Sequence, residues 1–270
     1  MPRFNLHCCL ILLCLALPSL AEAAPPRRIV SLNLCADQLL IALADPGQIA
    51  ALTQFARDPD MSAGAVKAMR IPISQGRTED VLAMDPDLIL ANPGLRQATL
   101  AALSGRAYRV IELPSAESYP EILGQIRTVA AAIGHPDRGE ALIARMNADL
   151  ARIVPARSGR VAAYYQRRGY LTGTGTLIDD LMHRVGLRNL ATLLDKPALS
   201  RVSLEEMVAA HPDYLIIESA TDRVADQGTE MLHHPALADI KRLRLPEAWT
   251  VCGGPAYVLA ARSLAAQLGR

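Results

Sequence analysis

The segment Thr78–Leu90, TEDVLAMDPDLIL, recurs 126 residues later as Leu204–Ile216, LEEMVAAHPDYLI, and no gap is needed to align the two. Each copy has acidic residues near its start, then a helical apolar pattern, a Pro-Asp pair and an apolar run. Similarity at a fixed offset indicates a repeated structural unit. Two copies this far apart predict two similar lobes, because a solenoid needs at least about three stacked units.

Each copy is predicted to form a short helix followed by a buried strand. Thr78 suits the N-cap of the first helix, where acidic residues in the first turn also favour the positive helix end. Asp85 and His211 each precede a proline, which disfavours the α conformation and ends the helix. The runs 88–90 and 215–217 are typical of strands that helices cover on both faces, as in parallel sheets.

The composition predicts a globular protein in which each half can bury a core. Of the 270 residues, 51% are hydrophobic, and the formal net charge at pH 7 is +1. A nucleic-acid-binding protein would carry a basic excess or stripe, so we expect no nucleic-acid partner. Aromatic residues are scarce, with two phenylalanines and one tryptophan, Trp249.

Residues 1–24 are predicted to be a cleavable export signal. A basic residue near the start, an apolar core at Leu10–Leu17 and a small-residue cleavage site at Ala21–Ala23 are its features. The apolar run is too short for an ordinary membrane span, and Leu13 before Cys14 argues against a lipid anchor. We therefore expect a soluble exported protein in an oxidising compartment.

Strand and helix patterns alternate along the remainder of the chain, which predicts parallel sheets and an α/β fold class. The predicted strands are 29–32, 49–53, 88–90, 109–113, 160–165, 215–217 and 249–251. The predicted helices include 38–44, 97–103, 119–133, 177–185, with Gly186 as its C-cap, and 256–268. Ligands of such folds bind at the carboxyl ends of the strands.

A long helical pattern between the two repeat copies, Asp137–Val154, has apolar residues along one face and no internal breaker. At 1.5 Å per residue it spans roughly 27 Å, about the diameter of a small domain. We interpret it as a rigid strut. The predicted organisation is an N-terminal lobe at 25–135, a linking helix at 136–155 and a C-terminal lobe at 156–270.

These features together resemble the substrate-binding proteins of ABC importers for ferric siderophores, haem and cobalamin. The resemblance is carried by Arg28–Leu32, Gln75-Gly76 before Glu79, the Pro-Asp repeats, the run Gly186-Leu187-x-Asn189-Leu190, and the strut. It implies two α/β lobes with central parallel sheets, joined by one long α-helix, with the ligand in the cleft between them. It also implies a periplasmic monomer that binds a metal chelate without a cofactor and without catalysis.

The resemblance further implies two permease-docking residues, Glu79 and Glu205. In this family one glutamate at the tip of each lobe meets an arginine pocket on the ABC permease dimer in the inner membrane. A carboxylate at an exposed helix start can form a bidentate, charge-assisted pair with arginine. The alternative is that both acids only stabilise the starts of their helices.

The cleft residues are also assigned through the resemblance, from the loops that follow the strands. They are Phe55, Arg57, Gln75, Asn92, Tyr165, Arg167, Tyr170, Ser219, Trp249 and Cys252. Arginines in or near these loops (Arg57, Arg77, Arg96, Arg167 and Arg168) suit carboxylate, catecholate or propionate groups, which favours an anionic iron chelate or haem. The alternative is a solvated basic rim.

Two cysteines, Cys35 and Cys252, follow the predicted export signal, and each lies at the start of a predicted helix, one per lobe. Three interpretations stay open: a disulfide that ties the lobes, two free thiols, or a metal or ligand contact. A disulfide requires Cα atoms within about 7 Å of each other.

Two rival functions are weighed against the binding of a chelate. Direct capture of a metal ion would need several histidines and a carboxylate in the cleft, whereas only His233 and His234 are adjacent, so we predict no metal site. A two-lobed chelatase-like enzyme is the second rival. The chain has no nucleophile elbow, no H-E-x-x-H motif and no Walker loop, so we predict a binding protein rather than an enzyme.

Overall fold

The computed structural model of the protein describes residues 24–95, 97–156, 159–224 and 226–269. The predicted export signal lies outside these residues except for Ala24, and so does Arg96. Across the described ranges, no helix has both the length and the apolar character that crossing a bilayer requires.

The N-terminal part forms a five-stranded sheet of order β3-β2-β1-β4-β5, in which every neighbouring pair is parallel. Its strands are β1 (Ile29–Ser31), β2 (Ile49–Thr53), β3 (Ile73–Ser74), β4 (Leu88–Ala91) and β5 (Arg109–Glu112). Its helices are α1 (Leu34–Leu43), α2 (Ala65–Ala68), α3 (Thr78–Met84), α4 (Gln97–Leu103) and α5 (Tyr119–Ala132).

A single helix, α6 (Pro136–Ala151), follows, and its 16 residues give a rod of about 24 Å. It lies within the predicted linker at 136–155. Proline at its first position fits a helix start, because the missing N–H would have no partner there.

The C-terminal part forms a second sheet of order β11-β10-β6-β7-β9, with β8 paired to β6. Its strands are β6 (Val161–Gln166), β7 (Tyr170–Thr172), β8 (Arg188–Asn189), β9 (Leu199–Arg201), β10 (Tyr214–Glu218) and β11 (Lys241–Leu245). Its helices are α7 (Leu177–Arg184), α8 (Leu190–Leu193), α9 (Leu204–Ala210), α10 (Gln227–Glu230) and α11 (Tyr257–Leu268). β7 pairs antiparallel with β6 and β9, and the other pairs are parallel, so the predicted α/β fold class with two mostly parallel sheets is confirmed.

The sequence repeat is also a structural repeat. α3 and α9 begin and end at the same offset of 126 residues, and so do the starts of β4 and β10. Both helices end at the residue before a proline, as predicted. That residue has a left-handed backbone in each copy: Asp85 has φ 42° and ψ 63°, and His211 has φ 41° and ψ 63°. The predicted N-cap was wrong: Thr78 is the first helical residue, and Arg77 stands at the cap.

The last predicted strand, 249–251, was also wrong. Trp249 ends a 3₁₀ turn, Glu247–Trp249, and the last strand is β11. β11 lies at the edge of its sheet, where one side is open to solvent, and it therefore carries charged residues at Lys241, Arg242 and Arg244. These charges hid the strand from a search for apolar runs. Gly186, by contrast, follows α7 at φ +83°, in the conformation predicted for a C-cap.

Alternation along each strand separates two apolar layers. In β6, Ala162 and Tyr164 face a large cluster, whereas Ala163 and Tyr165 face a smaller one on the opposite side of the sheet. The N-terminal sheet shows the same division, with Ile89 in its own outer cluster. This follows from the two-residue period of a strand.

The large cluster is shared by both lobes. It runs without interruption from the N-terminal sheet through α1, α5, α6, α7 and α11 to the C-terminal sheet. Leu142, Ile143, Met146 and Leu150 of α6 are buried in it. Since protein interiors are close-packed, this continuity favours small rather than large rotations between the lobes.

Where the lobes meet, two tyrosines stack. The ring of Tyr119 in α5 lies 5.3 Å from that of Tyr257 in α11, centroid to centroid. The guanidinium of Arg184 lies over the Tyr119 ring at 4.7 Å, and its Nε donates to the Tyr257 hydroxyl at 2.8 Å. That hydroxyl donates in turn to Asp180.

A disulfide joins Cys35 of α1 to Cys252, which lies just before α11, across a sequence separation of 217 residues. The two Cα atoms are 5.2 Å apart. We call the disulfide, the Tyr119–Tyr257 stack and Arg184 the interlobe seam.

Asp37 anchors α1 inside the N-terminal lobe. Its fully buried carboxylate accepts hydrogen bonds from the Thr53 amide at 3.1 Å and the Thr53 hydroxyl at 2.5 Å. Burial raises the pKa of Asp37 to about 6, although the hydrogen bonds from Thr53 act in the opposite direction. The carboxylate thus fixes the start of α1 against the end of β2.

We predict that Asp37 makes the free energy of unfolding fall as pH rises from about 4 to about 6. In this window the folded chain holds a proton on Asp37 that the unfolded chain, with its pKa of 3.8, has already lost. Urea unfolding at pH 4, 5, 6 and 7 should show wild type losing on the order of 2 kcal/mol relative to Asp37→Asn. Asp239→Asn, at an exposed site, is the control, and a pH-independent difference at Asp37 would contradict the assignment.

We also predict that the disulfide contributes about 3 to 5 kcal/mol to stability, because it closes a very long loop in the unfolded chain. Cys35→Ala with Cys252→Ala, in a chain beginning at residue 24, should lower the free energy of unfolding in urea by this amount. Dithiothreitol should destabilise the wild type and leave the double variant unchanged. Two titratable thiols in the non-reduced protein would show that the bridge is absent.

Candidate functional site

The candidate site lies at the carboxyl ends of the strands, as predicted for an α/β fold. In the N-terminal lobe, the turn Gln54–Arg57 follows β2, Gln75 follows β3 and Asn92 follows β4. In the C-terminal lobe, the turn Arg167–Gly169 follows β6, and the turns Ser219–Thr221 and Glu247–Trp249 follow β10 and β11.

The Cys35–Cys252 disulfide brings the segment after β1 close to the segment after β11, and charges of the loop after β2 act on the same region. The pKa of Glu247 is raised by its burial, by the nearby carboxylate of Glu218, and by Asp60 and Asp58 of the opposite lobe, while Arg167 acts to lower it. The influence of Asp58 and Asp60 requires that the loop after β2 lies near the turn after β11. We call the space between these loops the cleft.

Close backbone contacts hold the sides of the cleft together. The Leu177 amide at the start of α7 donates to Glu117 Oε2 at 3.2 Å, which joins the C-terminal lobe to the loop after β5. The same loop approaches Gly253 so closely that a Cβ there would lie 2.5 Å from the Ala116 carbonyl oxygen. Glycine is therefore required at position 253, beside the disulfide.

Two of the predicted aromatic residues present large faces to solvent, one in each lobe. Phe55 is 41% exposed and Tyr170 is 37% exposed. Trp249 is half-buried and packs against the shared core. These side chains can supply apolar area to a flat ligand.

Tyr165 lies elsewhere. It is 1% exposed, packs in the outer cluster of the C-terminal sheet, and donates its hydroxyl to the Val202 carbonyl at 3.0 Å. The neighbouring Tyr164 points to the other face, where its hydroxyl donates to Glu218 Oε1 at 3.2 Å. The one-residue alternation of β6 therefore makes Tyr164, and not Tyr165, the tyrosine connected to the polar groups at the end of β10.

The predicted polar residues differ in how free they are. Gln75 and Ser219 are exposed. Asn92 is partly buried, and its side chain donates to the Leu113 carbonyl at 3.2 Å and accepts from the Gly94 amide at 2.9 Å. The sulfur of Cys252 belongs to the disulfide and has no free thiol to offer a ligand.

The arginines are engaged with the protein itself. Arg57 donates to the Ala68 carbonyl at 3.3 Å and to the Ile71 carbonyl at 2.6 Å. Arg167 pairs with Asp226. Both guanidinium groups thus already have acceptors, and an anionic ligand would have to compete for them.

Sequence reasoning missed the acidic residues of the cleft. Glu218 accepts hydrogen bonds from Tyr164 and, at 3.1 Å, from Gln166 Nε2, and Glu247 lies close to it. Glu218 ends an apolar strand, and Asp58 follows Arg57 in the loop after β2. Those positions could have been found by taking every residue at a strand's carboxyl end, acids included, rather than arginines and aromatics alone.

No group of three histidine, cysteine, aspartate or glutamate side chains within the described ranges is placed to hold a metal ion. His233 Nε2 is paired with the Thr221 carbonyl oxygen at 2.9 Å, and His234 Nδ1 accepts from the Ala236 amide at 3.2 Å. One ring nitrogen of each histidine therefore has a backbone partner within the protein.

The two glutamates predicted for docking occupy equivalent positions, the second residue of α3 and of α9, and both are exposed. The Glu79 side chain is 69% exposed and lies 3.5 Å from Arg77. The pKa of the Glu205 carboxyl is lowered by its own backbone amide and by the Ser203 hydroxyl. A lowered pKa keeps this carboxylate ionised over a wider pH range.

Comparison with known proteins supports this description. Residues 29–244 match the family described as periplasmic binding protein. A cobalamin-binding protein of Halobacterium salinarum is 28% identical over 206 residues, which cover 74% of this chain and 56% of that protein. The chain thus spans little more than half the length of that curated relative.

Solved structures with the same fold include binding proteins for two of the predicted ligand classes. The periplasmic haem-binding protein HutB of Vibrio cholerae has a TM-score of 0.75 at 16% identity, covering 90% of this chain and 99% of that one. The haem-binding protein RhuT of Roseiflexus sp. RS-1 has a TM-score of 0.72 at 23% identity, covering 90% and 97%. The vitamin B12-binding protein BtuF of Vibrio cholerae has a TM-score of 0.67 at 16% identity, covering 91% and 97%.

The family match bears on the choice between a binding protein and an enzyme. Because the family and these relatives are binding proteins, the prediction that the chain is not an enzyme is confirmed. The match covers strands and helices of both lobes and the helix between them. With its two mostly parallel sheets, its connecting helix and its loops facing one another, this chain belongs to the periplasmic binding protein family.

Proposed function

We propose that the chain is the substrate-binding component of an ABC importer, which captures a metal chelate in the periplasm and delivers it to a permease dimer in the inner membrane. The chelate class is that of ferric siderophores, haem and corrinoids. The observation that carries the proposal is the cleft, where the Cys35–Cys252 disulfide and the Leu177–Glu117 hydrogen bond join segments that follow strands of the two sheets. Similarity to proteins named for cobalamin and haem binding supports the ligand class.

The aromatic residues of the cleft support a large, flat ligand. Phe55 and Tyr170 belong to opposite lobes and expose much of their rings, so a chelate between the lobes can contact both. We assign ligand contact to Phe55, Gln75, Asn92, Tyr170, Ser219 and Trp249. The sulfur of Cys252 and the side chain of Tyr165 are left out because both are buried.

The charge of the cleft bears on which chelate fits. Arg167 is neutralised by Asp226 and Arg57 keeps its charge because its acceptors are neutral carbonyls, but Glu218, Glu247, Asp58 and Asp60 outnumber these cations at the cleft. Carboxylates disfavour an anionic ligand beside them and favour a neutral or cationic one. The charges therefore favour a neutral or cationic chelate, such as a corrinoid or a cationic ferric siderophore, over one rich in carboxylates.

The interlobe seam and the shared core support a binding mechanism with little closure. A ligand shifts the equilibrium between open and closed lobes only as far as its affinity for the two states differs. The disulfide and the Tyr119–Tyr257 stack connect the lobes beside the cleft and restrict how far they separate. The cleft is thus largely preformed, and the entropy lost on binding is correspondingly small.

Glu79 and Glu205 support delivery to a permease with two related subunits. Each carboxylate lies at the start of a helix, at equivalent places in the two lobes, and is exposed. Two matching points of this kind suit a two-fold symmetric partner. The export signal predicted at residues 1–24 supports the periplasmic location.

We predict that the purified chain binds one chelate with a saturable rise in melting temperature. The screen compares cobalamin, a cationic ferric trihydroxamate, haem and an anionic ferric catecholate, and the first two are expected to give the larger shifts.

For the best ligand, Phe55→Ala should weaken binding on the order of tenfold, because a stacked aromatic face is lost. Val154→Ala, at a residue that is 79% exposed in the segment after α6, is the control. No shift with any chelate would contradict the proposal, and unchanged affinity in Phe55→Ala would remove that residue from the site.

We predict that Glu79→Ala with Glu205→Ala abolishes chelate uptake in cells while leaving the affinity of the purified chain unchanged. Loss of two arginine-paired carboxylates removes docking without touching the cleft. The matched control is Asp80→Ala with Glu206→Ala, which removes the same charge one residue further along each helix. Normal uptake by the first double variant, or equal loss in both, would contradict a docking role.

A further inference from the structure

A cavity of about 310 Å³ lies away from the cleft, where α1 of the N-terminal lobe, the linking helix α6 and α11 of the C-terminal lobe meet. Its apolar wall includes Leu142 and Met146 of α6, and its polar groups include Gln38, Lys67, Arg145 and Arg262. We call it the helix-junction pocket. None of the residues assigned to the chelate cleft lines it.

The helix-junction pocket is lined by cationic side chains that have no partner among the described residues. Lys67, Arg145 and Arg262 line it, and among the described residues none of the three has an ion-pair or hydrogen-bond partner. Asp149 also lines it, but its Oδ1 is paired with Arg152 at 3.1 Å. Three exposed cations and one carboxylate therefore line this space, and their net charge is positive.

A buried amide is the second observation. Gln38 lines the pocket and is 6% exposed, yet its Nε2 has no hydrogen-bond partner in the described parts of the chain. Buried donors are nearly always paired, and leaving one unpaired costs about 1 to 3 kcal/mol. This nitrogen has almost no accessible surface, so an acceptor atom of a ligand would remove that cost once the Gln38 side chain rotates toward the pocket.

The chemistry of the walls defines the ligand. Guanidinium, ammonium and amide N–H groups only donate, so the polar end of the ligand must accept hydrogen bonds and carry negative charge. Leu142, Met146 and Val258 are buried apolar residues, so the rest of the ligand must be apolar. The volume is near the lower limit for ligand pockets, which admits only a small molecule.

We infer that the helix-junction pocket binds a small amphiphilic monocarboxylate, with its carboxylate near Gln38, Arg145 and Arg262 and its apolar body against α6. Because the walls come from both lobes and from the linking helix, an occupant contacts all three. It stabilises whichever lobe orientation best matches its contacts, and its binding is thermodynamically coupled to that of the chelate. The site is separate from the cleft and does not depend on the proposed function, whereas its coupling to chelate binding rests on that function.

The test is calorimetric titration of the purified protein with octanoate, octanol and octylamine, which share a tail and differ in the polar end. Octanoate should bind saturably at one site, and octanol and octylamine should bind at least about tenfold more weakly, since they lack the charge that the cations recognise. Equal binding of octanol would overturn the inference, and so would the absence of saturable octanoate binding.

Variants locate the site. Arg145→Gln with Arg262→Gln should lower the affinity for octanoate about tenfold or more. Arg223→Gln with Lys241→Gln, at exposed sites elsewhere, should leave that affinity unchanged. Ala42→Leu should weaken octanoate by filling the pocket.

Gln38→Leu provides a readout that does not rely on loss of charge. It should weaken octanoate while leaving the melting temperature of the free protein unchanged or higher, because an unpaired buried donor is removed. Wild-type affinity in Gln38→Leu and in the Arg145/Arg262 variant, with both variants folded, would overturn the assignment of octanoate to this pocket.

Discussion

The structure depends on a continuous apolar core that passes from one lobe to the other. Each sheet directs one face into this core and keeps the other for a smaller cluster of its own. α6 crosses between the lobes with its apolar face buried in the same core, so it is a packed element rather than a free spacer. A rotation of the lobes would have to rearrange this packing, and close-packed interiors resist such rearrangement.

The interlobe seam adds covalent and polar connections at the place where the two sheets present their loops. Cys35 lies in the first turn of α1 and Cys252 lies in the segment between β11 and α11, and their bridge closes the chain over 217 residues. Tyr119 and Tyr257 stack beside it, under the guanidinium of Arg184. The cleft therefore opens on a base of fixed geometry, which suits capture of a rigid ligand without extensive folding around it.

The two proposed sites differ in the sign of their charge. At the cleft, carboxylates of both lobes raise the pKa of Glu247, and the nearest arginines are bound to acceptors of the protein. At the helix-junction pocket, unpaired cations surround an apolar space. Both sites use residues from the two lobes, because the same seam brings the lobes together at each.

The sequence by itself determined the repeat, and with it the two lobes. The matched copies predicted α3 with β4 and α9 with β10, because local propensity, a pre-proline residue and an apolar run act over a few neighbouring residues. The linking helix and most strands of the parallel sheets were predictable for the same reason. The family resemblance rested on these local features, and the family match confirmed it.

Only the tertiary structure decided which of the candidate side chains are buried and which are exposed. Tyr165 looked suitable, but the pairing of β6 with its neighbours assigns Tyr164 to that side. β11 was not predicted because it contains charged residues. Its position at the edge of the sheet accounts for those charges. The partners of Arg57, and the pairing of Cys35 with Cys252, join residues that are distant in sequence or separated by loops, and no periodicity within a segment encodes such contacts. Burial and pairing are properties of the packed chain, and they show that Arg57 and Arg167 already have acceptors within the protein.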